Sequence, residues 1–184
     1  MVDKKKGKKE WYEILSGSVF NNLVIGESVA YDSKELIGRV INANLGNITK
    51  DVKLQNLKMK FRVNEVKEKK AYTEVKGYEL VSNYVKRVIR AGRSRVDDSF
   101  TVSTKDNIKV RIKPLILTKY KAQKNVLKEL RNTIRKDFVE YVQRETYEKF
   151  VFDLVSKKLQ RDVRAKLNKV YPVSVVEIRL MERS

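Results

Sequence analysis

Two stretches of this chain alternate strictly between apolar and cationic residues, Leu57-Lys58-Met59-Lys60-Phe61-Arg62-Val63 and Ile108-Lys109-Val110-Arg111-Ile112-Lys113. Successive side chains of a β-strand point to opposite faces, so a period of two commits each stretch to a strand with one apolar side and one charged side. The apolar side needs a core. The other side carries only cations: Lys58, Lys60 and Arg62 on the first strand, Lys109, Arg111 and Lys113 on the second. Two readings stay open for them. They fill solvent-facing positions and discourage edge pairing, or they face RNA. Phe100 to Thr104 is expected to pair with the second strand through a Lys105-Asp106-Asn107 turn. Weaker strand signals lie at Val19-Phe20, Leu23 to Ile25 and Ser28 to Ala30, and Leu36 to Leu45 reads as a further strand.

Between the two strong strands lies a helix. Ser82 is the expected N-cap, Val81, Tyr84, Val85 and Val88 recur at helical spacing, and Gly92 suits the position just past the end. From Tyr120 the period changes. Val126, Leu130, Ile134, Phe138 and Val142 recur every four residues, broadened by Leu127 and Tyr141, which predicts a long amphipathic helix from Ala122 to Arg144. Phe150-Val151, Leu154-Val155, Leu159, Val163 and Leu167 predict one or two shorter helices, which Tyr171-Pro172 ends. Val176, Ile178 and Leu180 then alternate with Glu177, Arg179 and Met181 in a closing strand. These stripes are core and not a cofactor box. No internal repeat or sustained heptad is visible. At 184 residues the chain has the length of one domain. The expected organisation is a mobile basic arm over 1–9 and a single α+β RNA-binding domain over 10–184. That domain comprises a strand-rich core over 10–118, a helical segment over 119–171 and a terminal strand over 172–184.

The charge balance narrows the partners. Lys and Arg number 42 against 23 Asp and Glu, a net charge of +19. Such an excess repels itself in a compact fold, and a polyanion relieves the repulsion. Nucleic acid is the first candidate and an anionic membrane surface the rival. No apolar run approaches the ~20 residues of a membrane span, and no signal peptide follows the basic start, so a soluble intracellular chain is expected. Cys and His are both absent. That excludes disulfides, thiolate nucleophiles, imidazole acid–base catalysis and Cys/His zinc sites. The one carboxylate grouping that invites a metal is Asp97-Asp98 with Glu65 or Glu68, and adjacent acids on a strand point apart. The sequence therefore predicts no enzyme, no cofactor, no metal, no membrane partner and no small-molecule substrate.

The densest cationic constellation is Lys86 to Arg95, with Lys86, Arg87, Arg90, Arg93 and Arg95 inside ten positions, followed by Asp97-Asp98. Lys86, Arg87 and Arg90 lie away from the apolar stripe near the helix end, where cations complement the dipole. Arg93 and Arg95 share one side if the chain is extended. Arginine forks bridge phosphate oxygens, so this run presents donors to successive phosphates, with the two acids orienting the arginines or starting a turn. Its competing reading is an ordinary helix end with surface ion pairs. Lys119 to Lys169 carries 15 Lys and Arg against 7 Asp and Glu, and Lys157, Lys158, Arg161, Arg164 and Lys166 look one-sided. Lys119-Tyr120-Lys121 mixes cation with aromatic; Tyr120 either stacks a base or sits at the edge of the core. Lys5, Lys6, Lys8 and Lys9 of the arm and Arg39 complete the RNA-contacting set. No helix-turn-helix, zinc finger, leucine zipper, aromatic-rich recognition strand or phosphate-binding glycine loop is present.

An ordered series of short motifs runs nearly the whole chain: Lys9-Glu10-Trp11-Tyr12-Glu13, Gly38-Arg39-Val40, Arg93-Ser94-Arg95-Val96-Asp97-Asp98, Lys119-Tyr120-Lys121-Ala122-Gln123, Ile134-Arg135-Lys136-Asp137 and Val170-Tyr171-Pro172. In this order they resemble the three-A family of small-subunit ribosomal proteins of archaea and eukaryotes, with an archaeal character in the Arg-rich stretch. The resemblance implies an antiparallel β-barrel-like core, a helix inserted between strands, a helical segment packed on it and a final strand. It implies binding to small-subunit ribosomal RNA on the platform near the messenger exit, with ribosomal protein neighbours and messenger RNA within reach. It also implies a structural role in translation without catalysis. Eukaryotic members carry a long C-terminal extension beyond the point where this sequence stops. The alternative function is a free-standing nucleoid or single-strand nucleic-acid-binding protein.

Overall fold

The structure is a computed structural model that describes residues 8–183. Lys5 and Lys6 of the expected arm lie outside the described residues. The chain forms two compact units that divide at Gly77, inside a strand. The first unit contains β1 (Glu10–Leu15), β2 (Val24–Ala30), β3 (Val40–Asn44), the short helix α1 (Leu45–Thr49), β4 (Leu57–Lys67) and most of β5 (Lys70–Leu80). Val19-Phe20, expected as strand, belongs to a 3-10 turn over Ser18–Phe20. β1 pairs antiparallel with β2 and parallel with the start of β5. β5 pairs with β4, and β4 pairs antiparallel with β3. Glu68 and Lys69 join β4 to β5 with φ of 48° and 63°. Two successive left-handed residues make the type I′ geometry whose twist matches the flanking strands.

This order, β2-β1-β5-β4-β3, leaves β2 and β3 as open ends. The sheet is not closed, so the antiparallel barrel-like core that the resemblance implies is not confirmed, and the parallel β1–β5 pair departs from it. Between the two ends stands a side chain: Arg39 donates from Nη1 to Ser28 Oγ at 2.7 Å and to the Val29 carbonyl at 3.2 Å. An arginine occupies the edge of β2 where a partner strand would close the ladder. As the alternation requires, Leu57, Met59, Phe61 and Val63 of β4 are buried. Fully burying side chains of this size contributes about 1.5–3 kcal/mol each. Tyr12, Ile14, Ala30, Leu36, Val63 and Ala71 form one contiguous core cluster.

The second unit takes up the chain at Tyr78. It holds α2 (Ser82–Val88), β6 (Arg95–Asp97), β7 (Phe100–Ser103), β8 (Lys109–Thr118), α3 (Lys124–Arg144), α4 (Tyr147–Val155), α5 (Lys158–Val170) and β9 (Val173–Arg183). β8 organises it, pairing antiparallel with β6, β7 and β9. The β7–β8 hairpin forms as expected, Phe100 opposite Ile112 and Ser103 opposite Lys109. β8 alternates only as far as Lys113; Pro114 to Thr118 are all buried. Helices α3 and α5 pack on the strands, α3 burying Leu130, Ile134, Phe138 and Val142.

Two expectations need correction. α2 is capped by Val81, with Ser82 its first helical residue, and it ends at the extended Ile89, three residues before Gly92. Val85, Val88 and Ile89 are β-branched and lose rotamer freedom in a helix, which favours the early stop. Gly92 instead adopts φ +81° in the following turn. In β9 the alternation fails, because Glu177 and Met181 are buried beside Val176 and Ile178. The β8–β9 register shifts between Lys113 and Pro114 and again between Leu117 and Thr118. Each bulge reverses which face later residues occupy.

Candidate nucleic-acid interface

In the first unit the outer side of β4 is single-signed from Leu57 to Val63. Lys58 and Arg62 are exposed and Lys60 half-buried. Pairing sets Lys60 opposite Asn42 and Lys58 opposite Asn44 of β3, and directly opposite residues share a face, so amides flank the cations there. Residues two apart on a strand are about 6.6 Å apart, so the three cations form a straight row. Lys8 and Lys9 are exposed, and Lys9 Nζ lies 5.2 Å from the centre of the Tyr31 ring.

In the second unit, stretches distant in sequence come together. Ser94 and Thr118 are tied twice, Ser94 N donating to Thr118 Oγ1 at 2.9 Å and Thr118 N donating to Ser94 O at 3.0 Å, while the Thr118 hydroxyl donates to the Tyr120 carbonyl at 2.6 Å. Ala122 N donates to Ser94 Oγ at 3.0 Å, and Tyr171 Oη donates to Lys121 O at 3.1 Å. This network places the Arg93-Ser94-Arg95 step beside the Lys119-Tyr120-Lys121 step. The Tyr120 ring is 66% exposed. It is not a core-edge residue, because the strap holds the loop backbone while leaving its ring outside.

The strongest convergence is a groove of about 400 Å³ whose walls come from β5, α2, β6, β8 and β9. Lys86, Arg95 and Lys113 line it, from three separate stretches that the sequence marked as cationic. Arg179 joins them and was not among the predicted contacts. Its signal was its place in the alternation of β9, but the register opposite β8, with Leu180 at Lys113, is what brings it to the groove. Arg95 is ion-paired with Asp97. Arg93 reaches away from solvent to donate to Ser174 Oγ at 3.0 Å. Lys86, Arg87 and Arg90 are exposed at the end of α2, with the Arg87 guanidinium 5.9 Å from the Tyr84 ring centre. Asp98 lies 3.8 Å from Arg135 and accepts from Ser99 N at 2.8 Å, so the paired acids both orient an arginine and shape a turn.

The remaining predicted residues scatter. Lys109 and Arg111 are exposed on β8, with Arg111 Nε donating to Ser99 Oγ at 3.2 Å. On α5, Lys158, Arg161 and Arg164 are exposed. Lys157 is not one of a one-sided set, since its ammonium sits 3.0 Å from the buried Glu177 carboxylate. Lys166 likewise pairs with Asp137 at 3.1 Å. Between α3 and α5 a second groove is lined by Asp137, Glu140, Glu145 and Asp162 together with Arg144 and Lys166, which pair with Glu140 and Asp137. The helical segment, basic in sum, therefore has one side where acids outnumber cations. Among the described residues no cluster of three or more acids is arranged for a metal ion, and no helix is long and apolar enough to cross a membrane.

Comparison with known proteins bears on this arrangement. The family model described as "Ribosomal S3Ae family" matches residues 1–183. The chain belongs to the Ribosomal S3Ae family. A relative from Staphylothermus marinus, named small ribosomal subunit protein eS1, is 35% identical over 96% of this chain and 82% of its own length. Proteins of the same name from Haloarcula marismortui and Nanoarchaeum equitans are 32% and 30% identical, over 97% and 94% of this chain and 84% and 87% of their own lengths. The resemblance drawn from the ordered motifs thus identifies the right family, through its archaeal members.

Proposed function

We infer that this protein is a structural, non-catalytic component of the cytoplasmic small ribosomal subunit; its relatives carry the name small ribosomal subunit protein eS1. It binds ribosomal RNA through Lys and Arg contacts to the phosphate backbone, among ribosomal protein neighbours, on the platform near the messenger exit. The observation that carries this reading is the gathering of Lys86, Arg95, Lys113 and Arg179 around one groove, beside the Arg93 and Lys119–Lys121 steps. Cations from four elements supply donors at many angles, and folded RNA is recognised by shape and backbone more than by base sequence. The cation row of β4 adds a second surface of the same sign.

Sucrose-gradient sedimentation of a tagged copy at moderate salt tests the assignment. The tagged chain should travel with the small subunit. Recovery only at the top of the gradient, with affinity for any single strand, would favour a free-standing nucleic-acid-binding protein. Charge-neutralising Arg90, Arg93 and Arg95 together should weaken RNA association at least tenfold, on the scale of ~1 in salt slope per lost phosphate contact. The same triple variant should melt within a few degrees of the parent. It loses the Arg93–Ser174 hydrogen bond and the partly exposed Arg95–Asp97 ion pair, each a small contribution to stability.

A further inference from the structure

The groove of the second unit is not built for phosphate alone. Its cations share the lining with Leu80, Val85, Ile89 and Leu180. Backbone recognition has no use for four aliphatic side chains, and a row of cations such as that on β4 needs no concavity. We propose that this groove receives a single unpaired ribonucleotide extruded from the ribosomal RNA, its base against the aliphatic residues and its phosphate among Lys86, Arg95, Lys113 and Arg179. The proposal rests on the RNA-binding reading and adds to it a site that takes a base.

Size agrees. Pockets of about 300–1,000 Å³ take small-molecule-sized groups, and the groove's roughly 400 Å³ suits one nucleotide and is too small for a helical segment. Chemistry agrees too. A base is flat and apolar on its faces and polar at its edge, and RNA-binding proteins choose loops and bulges because only there is a base free to leave the stack. Glu79 also lines the groove. A carboxylate there is disfavoured next to phosphate but accepts from the exocyclic amino group of a base. The walls are held before any ligand arrives: β6 and β9 are both laddered to β8, and Asp97 fixes Arg95. A pocket set by strand register loses less freedom on binding than one set by a loop.

The test compares two hairpin RNAs identical but for one unpaired adenosine bulged from the stem of the first. The full chain should bind the bulged hairpin about tenfold more tightly, the factor expected from burying one base face against aliphatic side chains. Val85→Lys fills the groove without reducing positive charge, and it should collapse the bulged-to-plain ratio toward one. Arg179→Gln should reduce the same ratio. With 4-thiouridine in the bulge, photo-crosslinks should fall on residues 79–89 or 179–180, a readout that needs no variant to fold. Equal, salt-sensitive binding of both hairpins, or crosslinks confined to other surfaces, overturns the groove while leaving backbone recognition standing. Failure to bind either hairpin overturns both.

Discussion

Gly17 has φ +78°, and a Cβ added there would lie 2.3 Å from the Thr73 carbonyl oxygen. The clash is with backbone, so nothing flexible can yield. The same contact sets β1 against β5, because Thr73 Oγ1 donates to Leu15 O at 2.6 Å. Gly17→Ala should lower the unfolding free energy by about 3 kcal/mol, the strained conformation adding to the overlap. A urea midpoint unchanged from the parent would contradict this. A second residue is Tyr141, whose hydroxyl donates to the buried Asp153 carboxylate. Burial first, and then this hydrogen bond, raise the phenol above its ordinary pKa of 10.0. The folded state therefore keeps a proton that the unfolded chain releases. Stability contributed by the neutral phenol is full below about pH 10 and declines as pH rises above it toward the folded-state value. Tyr141→Phe leaves Asp153 without its donor and should cost about 1–3 kcal/mol near neutral pH. Buried Tyr78 is also raised and keeps titrating in the variant, so thermal melts from about pH 8 to about pH 11 should show parent and variant converging.

At the scale of elements, the two faces of β4 separate stability from binding. Neutralising Lys58 and Arg62 as glutamines should leave urea stability within about 1 kcal/mol, since both are exposed and exposed charges contribute little. It should also flatten the salt dependence of RNA affinity by about 2 in slope. Phe61→Ala, on the other face, should cost about 3–5 kcal/mol, because Phe61 is fully buried and meets the Phe20 ring edge-on at 5.9 Å. Both measurements on one strand test the division of labour that its period of two encodes. This strand, the β7–β8 hairpin and α3 were legible because each repeats one pattern long enough to be read. β5 was not, since its buried positions Ala71, Thr73, Val75 and Gly77 are mostly small or polar and the alternation breaks where Tyr78 is buried beside Gly77. β1 hid for the opposite reason, with Trp11 exposed and Tyr12 buried making both faces aromatic. The groove was half legible. Lys86, Arg95 and Lys113 stand out as cations, but their meeting with Arg179 depends on the bulged β8–β9 register, which no local pattern carries. Lys157 misled because its acid, Glu177, lies in another element.

At the scale of the molecule, the charge excess is divided unequally. Residues up to Gly77 hold 16 Lys and Arg against 10 Asp and Glu, and residues from Tyr78 hold 26 against 13. The unit with the groove therefore carries about twice the excess of the other. Like charges at this density oppose compaction, and the repulsion reaches as far as salt allows, about 30 Å at 0.01 M and about 8 Å at 0.15 M. The free protein should accordingly melt higher as salt rises from about 0.02 M to about 0.2 M, by several degrees, because screening removes a term that favours unfolding. Binding to RNA must respond in the other direction, since the counterions released on neutralising phosphates are worth less in concentrated salt. Salt should then raise the melting temperature of the protein alone and shrink the further rise that RNA adds. Differential scanning fluorimetry of the free protein and of its complex with the bulged hairpin, over one salt series, measures both trends together. A free-protein melting temperature indifferent to salt would mean that the cations are spaced too far apart to oppose compaction, and a complex whose RNA-induced rise is equally indifferent to salt would mean that they do not contact phosphate.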